Sequence, residues 1–277
     1  MRSSTVTVLS ADDQRRAPYS LAWKDLATGF RRVELWGSMG WFDIRQRYSR
    51  SVIGPFWITL SLAGFVLALG TTYATLFRQP ILDFLPYVTI GIVIWTFIAV
   101  ALSEGCNVFS AAEVAVKQMP APLSVHVYRV VWRGLIVLAH NAVIVVIALL
   151  AKPLELVFGL LPALAGVAVI ALNAVAVSLA LGTLGARFRD LPPLMTNIIA
   201  LLFFVTPILW RVENLGDRAW IALVNPIYHF VELVRAPLLG GHVAPMTWLV
   251  VLAVTAVNLA AAFLLYARFR SRIPYWL

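Results

Sequence analysis

Residues 54–77, GPFWITLSLAGFVLALGTTYATLF, carry no charged side chain. A helix needs about 20 consecutive apolar residues to cross the hydrocarbon core of a bilayer, so 56–77 reads as a membrane span. Pro55 is placed to open it, since proline's missing N–H costs nothing in a first helical turn. Before this stretch lie about fifty polar, arginine-rich residues, and after it the uncharged runs recur. Of 277 residues, 61% are hydrophobic and 13% charged, against about 25% charged in a soluble domain. The chain is predicted to be an all-α integral membrane protein.

Five further runs qualify: residues 87–103, 134–151, 158–186, 191–210 and 246–267. The formal charge of +9 does not point to nucleic acid, because the cations cluster at the ends of apolar runs. With the N-terminus inside, 17 of the 22 lysines and arginines fall on the cytoplasmic side and five on the other. That asymmetry orients both termini to the cytoplasm. The first fifty residues lack the apolar core of a secretory signal. A single cysteine, Cys106, leaves no partner for an intrachain disulfide.

The connections divide the chain further. Residues 1–30 read as a cytoplasmic tail. Within 31–53, VELWGSMGWFDIRQRY (33–48) places Val33, Trp36, Ile44 and Tyr48 on one face, an interfacial amphipathic helix before the transmembrane domain at 54–277. Residues 111–119 predict a short cytoplasmic helix stopped by Pro120 and Pro122. Residues 219–240 hold two apolar pieces broken at Asn225-Pro226, too short to cross, and read as a re-entrant helical segment between spans five and six.

Chemistry is sparse. No G-x-x-x-x-G-K-[ST] loop is present to cradle a nucleotide. The four histidines are scattered without metal-ligand spacing, and the spans hold too few ionisable groups for an ion-coupled carrier. The chain reads as a transport channel whose energy must be supplied from elsewhere. Arg45, Arg47 and Arg50 form a cationic approach to the first span, fit either for a substrate diphosphate or for anionic lipid headgroups. Tyr73, Tyr87 and Trp95 are candidate channel aromatics, although interfacial anchoring uses the same residue types. His140, Asn141, Asn173 and Asn258 lie at membrane depth, where interhelical hydrogen bonds are the simpler reading.

Three stretches carry a resemblance: IRQRYSRSVIGPFW (44–57), RFRDLPPLMTNIIALLFFVTPILW (187–210) and NPIYHFVELVRAPLL (225–239). Together they resemble the ABC-2 type permeases, above all the membrane subunits that export O-antigen and related lipid-linked polysaccharides. The resemblance implies a homodimeric permease in the bacterial inner membrane, paired with two copies of a separate ATPase that binds ATP and Mg. It implies that the helix at 111–119 is a coupling helix, with Glu113, Val116, Lys117, Gln118 and Met119 against the ATPase. The substrate would be a polyprenyl-diphosphate-linked glycan, with no cofactor or metal in this chain. Two alternatives stay open: an ABC-2 exporter of a small amphiphile, and a membrane-embedded enzyme on polyprenyl phosphates using acids such as Glu104 and Asp190. The orientation is testable by reporter fusion. Alkaline phosphatase fused after Gln79 is expected to be active and after Leu277 inactive, with the reverse pattern for a cytoplasmic fluorescent reporter.

Overall fold

The computed structural model describes residues 11–47, 54, 56–150 and 153–277, with the backbone only for 11–17. Tyr48 to Ile53, including Arg50, and Pro55 lie outside the described residues. Twelve α-helices follow in order: α1 (Ala11–Arg31), α2 (Val33–Arg47), α3 (Phe56–Leu76), α4 (Ile81–Cys106), α5 (Glu113–Gln118), α6 (Ser124–Ala148), α7 (Pro153–Arg187), α8 (Leu191–Val205), α9 (Trp220–Leu223), α10 (Pro226–Leu238), α11 (Pro245–Phe269) and α12 (Ile273–Trp276). No strand occurs among the described residues.

Among the described residues, five helices are long and apolar enough to cross a membrane: α3, α4, α6, α7 and the helix that starts at Pro245. The chain is therefore a multi-pass membrane protein. The predicted span at 191–210 differs in length. Helix α8 has 15 residues, about 22 Å at 1.5 Å per residue, short of the ~30 Å hydrocarbon core. It stops at Val205 because Pro207 follows, and Thr206 turns out into an extended conformation with ψ 135°. The predicted tail also differs, since residues from Ala11 form the 21-residue helix α1.

Helix α4 is the hub, continuously buried from Tyr87 to Trp95 and packed on α3, α6, α7 and α8. Its contact with α7 relies on missing side chains. A Cβ on Gly185 would stand 2.1 Å from the Cys106 carbonyl oxygen, and one on Gly105 2.8 Å from Ser178 Cα. In lipid, where tails are as apolar as leucine, such close approach drives association. At its other end α7 repeats the device against α10, with Gly159 beside Pro237 and Gly166 beside Leu233. These gaps let α10 lie inside the bundle, with Phe230, Val231, Leu233 and Val234 buried.

Polar groups at depth support the same contacts. Asn173 Nδ2 donates to Thr255 Oγ1 at 2.8 Å, and Asn258 Nδ2 donates to Asn173 Oδ1 at 3.0 Å, joining α7 to α11. Each such bond contributes about 1 kcal/mol. His140 instead uses its ring within α6, at 2.8 Å from the Ile136 carbonyl. Helix α3 is the least engaged span: only Val66, Gly70 and Ala74 are buried, at four-residue spacing facing α4.

Gly185→Ala is expected to lower the melting temperature of the detergent-solubilised protein, at a cost of about 1–3 kcal/mol for overpacking. Gly64→Ala, where nothing lies within 4 Å of the added Cβ, is expected to leave it unchanged or raise it slightly.

Candidate functional site

Two assemblies of polar side chains lie at opposite ends of the bundle. At the α5 end, helix α6 begins after Pro120, Ala121, Pro122 and Leu123, none of which caps it. The first N–H groups of a helix need acceptors, and Asp25 on α1 supplies them across the fold. Its carboxylate accepts from Leu123 N at 3.2 Å and Ser124 N at 3.1 Å. The same carboxylate accepts from the Tyr266 hydroxyl at 2.7 Å and from Arg270 Nη1 at 3.1 Å, both at the end of the last span. Ser124 Oγ answers by donating to the Asp25 carbonyl at 2.9 Å.

Beside this cap, α2 is bound to α6. Asp43 accepts from Arg129 Nε at 2.7 Å and from Arg133 Nη1 at 2.7 Å, with a second hydrogen bond from Arg129 Nη2. Arg133 Nη2 also donates to Glu104 on α4, and Arg47 Nη2 stands 3.8 Å from the other oxygen of that carboxylate. Burial alone raises the Asp43 carboxyl pKa, but the hydrogen bond and charge of Arg129, joined by those of Arg133, outweigh it and hold the group below its usual value. The resulting stabilisation is present at neutral pH and is lost as pH falls through that lowered value. Apolar packing reinforces the joint: Trp36 meets Trp132 edge-on at 5.7 Å, and a Cβ on Gly40 would stand 2.9 Å from Trp132.

Helix α5 hangs below these groups. None of its residues is buried. Glu113 and Lys117 pair with each other at 2.6 Å, an exposed i,i+4 bridge. The hydrogen bond and charge of Lys117 lower the Glu113 pKa. Val116 is half-buried, whereas Val114, Gln118 and Met119 are exposed. Helix α12 packs against α5 and α7, and the Arg187 guanidinium lies 5.4 Å from the Trp276 ring.

At the opposite end, the turn after α8 leaves carbonyls that no helix satisfies. Arg235, buried on α10, donates through Nη1 to Pro207 O at 2.7 Å and through Nε to Glu232 at 2.8 Å. Its guanidinium covers the Tyr87 ring at 3.8 Å. The Tyr87 hydroxyl donates to Pro207 O at 3.2 Å and lies 3.0 Å from Trp210 O. Asn225 caps α10 by accepting from Ile227 N at 3.0 Å, while its Nδ2 donates to Thr206 Oγ1 at 2.9 Å.

The motifs of residues 187–210 and 225–239 thus meet in space. The chain belongs to the ABC-2 type transporter family. Its profile matches residues 34–239. The chain is 27% identical over 208 residues to an O-antigen export system permease protein RfbA of Klebsiella pneumoniae, covering 72% of this chain and 78% of the relative. It is 24% identical over 207 residues to the RfbA permease of Myxococcus xanthus, covering 70% and 75%.

The structure distributes the sequence-derived candidates of this ABC-2 protein unevenly. Arg45 and Arg47 are exposed at the end of α2, and Arg50 lies outside the described residues. Tyr87 and Trp95 are buried within one chain, Trp95 against Phe203 at 5.7 Å. Tyr73 is half-buried beside Phe77. Glu104 is held in the charge cluster, and Asp190 is exposed. Asn141, expected to bond between helices, has no partner for its buried Oδ1. Among the described residues no cluster of three or more His, Cys, Asp or Glu gathers as for a metal ion. Sequence reasoning missed Asp25, Asp43 and Arg235. The first two are acids on a segment read as surface; Asp25 finds its partners about 100 and 240 residues away and Asp43 about 90.

Arg235→Met is expected to destabilise the purified protein by about 1–3 kcal/mol, because it leaves the Pro207 carbonyl without its Arg235 donor and the half-buried Glu232 without its cation. A thermal melt reads this, and Arg235→Met combined with Glu232→Gln is expected to recover part of the loss.

Proposed function

We propose that this chain is the membrane-spanning channel subunit of an ATP-driven exporter that carries a polyprenyl-diphosphate-linked polysaccharide of the O-antigen class across the bacterial inner membrane. The observation that carries the reading is the family match over residues 34–239, together with similarity along 70–72% of the chain to permeases named for O-antigen export. The chain itself performs no catalysis. Two copies pair with two copies of a separate ATPase subunit, which binds ATP and Mg, and both termini lie in the cytoplasm.

Each part has physical support. The excess of cations at the α5 end matches the positive-inside rule. Helix α5 offers exposed Val114, Gln118 and Met119 around the Glu113–Lys117 pair, a compact surface for a partner to push. Helix α3 leaves Phe56, Leu60, Phe65 and Leu67 exposed, an apolar flank suited to a second copy. Arg45 and Arg47 remain the exposed cations for a diphosphate, and Tyr73 is the candidate aromatic left partly open. Asp190 has no second acid beside it in the described contacts, and Glu104 is engaged by arginines, which favours a permease over an enzyme that uses them.

Reconstituted in vesicles with its matching ATPase, the pair is expected to hydrolyse ATP and move polyprenyl-linked glycan across the bilayer. Alone, this chain is expected to bind no ATP. Nucleotide binding by the isolated subunit, or transport that continues without the ATPase, overturns the reading.

A further inference from the structure

We propose that the charge cluster of Asp43, Arg129, Arg133, Glu104 and Arg47 makes α2 follow the movement of α5. Asp43 and Arg133 are then positioning residues for transport. The proposal rests on the reading of α5 as the helix that faces the ATPase.

Chain order carries the first part of the argument. Glu104 lies nine residues before α5, on the last turn of α4, and Arg129 lies eleven residues after it, in α6. The Arg133–Glu104 bridge ties these two flanks together, so any displacement of α5 relative to the bundle loads it. Asp43 then attaches α2 to the same arginines. No residue of α5 is buried, and its main packing neighbours are α12 and the turn before it, not α2. The charge cluster joins α2 to both flanks of α5.

The surroundings leave the cluster able to rearrange. A cavity of about 320 Å³ beside His126, Asn107 and Ala111 and another of about 200 Å³ beside Thr96, Phe97 and Asn141 flank it, and both are lined by Glu104 and Arg133. His126 Nδ1 and Asn141 Oδ1 are buried there without partners. Close-packed apolar atoms do not confine Glu104 and Arg133 on these two sides. Hydrogen bonds and charge hold them instead.

Electrostatics explains why the acid is required. Arg129 and Arg133 are four residues apart on one helix face, where like charges repel. Asp43 sits between them and offsets much of that repulsion, while Glu104 shares Arg133. Without its charge the arginines repel each other, while Trp36 and Gly40 still seat α2 against Trp132. The isosteric change Asp43→Asn therefore removes the charged tie: α2 stays folded on α6 through these apolar contacts but no longer holds one fixed position relative to α5.

Two measurements test this. In the permease without any ATPase, spin labels at Trp41→Cys on α2 and Val114→Cys on α5, both exposed, with Cys106→Ser, report the distance distribution between the helices. It is expected to be narrow, to broaden at least about twofold with Asp43→Asn as the charged hydrogen bonds are lost, and to stay narrow with Asp43→Glu. An unchanged width in the Asn variant overturns the proposal whatever the ATPase reading turns out to be. In the assembled complex, Asp43→Asn is expected to lower glycan moved per ATP about tenfold, the factor that loss of one charge-assisted hydrogen bond corresponds to. Hydrolysis stays within about twofold of the parent and Asp43→Glu restores transport. An equal fall in hydrolysis and transport, with a lowered melting temperature, would mean a purely structural joint and also overturns it.

Discussion

Helix α6 starts without a capping side chain of its own, and much of the architecture at that end follows from how this is remedied. Its first N–H groups emerge after a proline-interrupted segment, and unsatisfied donors there are costly away from water. Asp25 supplies the acceptors from α1, and its negative charge also suits the positive end of the α6 dipole. Because Tyr266 and Arg270 share the same carboxylate, one residue joins α1, α6 and the end of α11. The N-terminal segment is thereby part of the bundle.

The opposite end meets the same requirement by another route. The chain leaves α8 through Thr206-Pro207, where the helical ladder is broken and carbonyls are freed. Arg235 and Tyr87 fill those acceptors, and the cation lies on the aromatic face that it helps to orient. Burying a guanidinium is tolerated because Glu232 neutralises it. A tyrosine that composition alone offers as a sugar-stacking ring is thus occupied in holding a turn. The same logic separates the two ends chemically. At the α10 end Arg235, Tyr87 and Asn225 are fully engaged in holding the turn, whereas the α5 end carries exposed helix surface and unfilled space around its ion pairs.

Most of the span pattern was legible because hydropathy is a local property: twenty uncharged residues declare themselves wherever they occur. The break at Asn225-Pro226 and the short helix before Pro120 were legible for a similar reason, since proline acts on its own neighbours. The shortness of α8 was masked although Pro207 marks it, because Ile208, Leu209 and Trp210 beyond the break are as apolar as the helix they follow and extend the hydropathic run. Helix α1 was hidden by its polarity, as its stability comes from packing on α6 and α11 and not from an apolar run.

Sequence alone determined that this chain is helical, that it crosses the membrane several times, that its cations gather at one set of helix ends, and that it carries no nucleotide-binding loop. These follow from composition, spacing and short motifs, each confined to a few consecutive residues. Only the tertiary structure decided which polar side chains are structural and which remain available. Asp25, Asp43 and Arg235 find partners far along the chain or on a neighbouring turn of backbone, and glycines such as Gly185 matter through what approaches them. Those pairings arise from close approach between helices, which no linear spacing encodes.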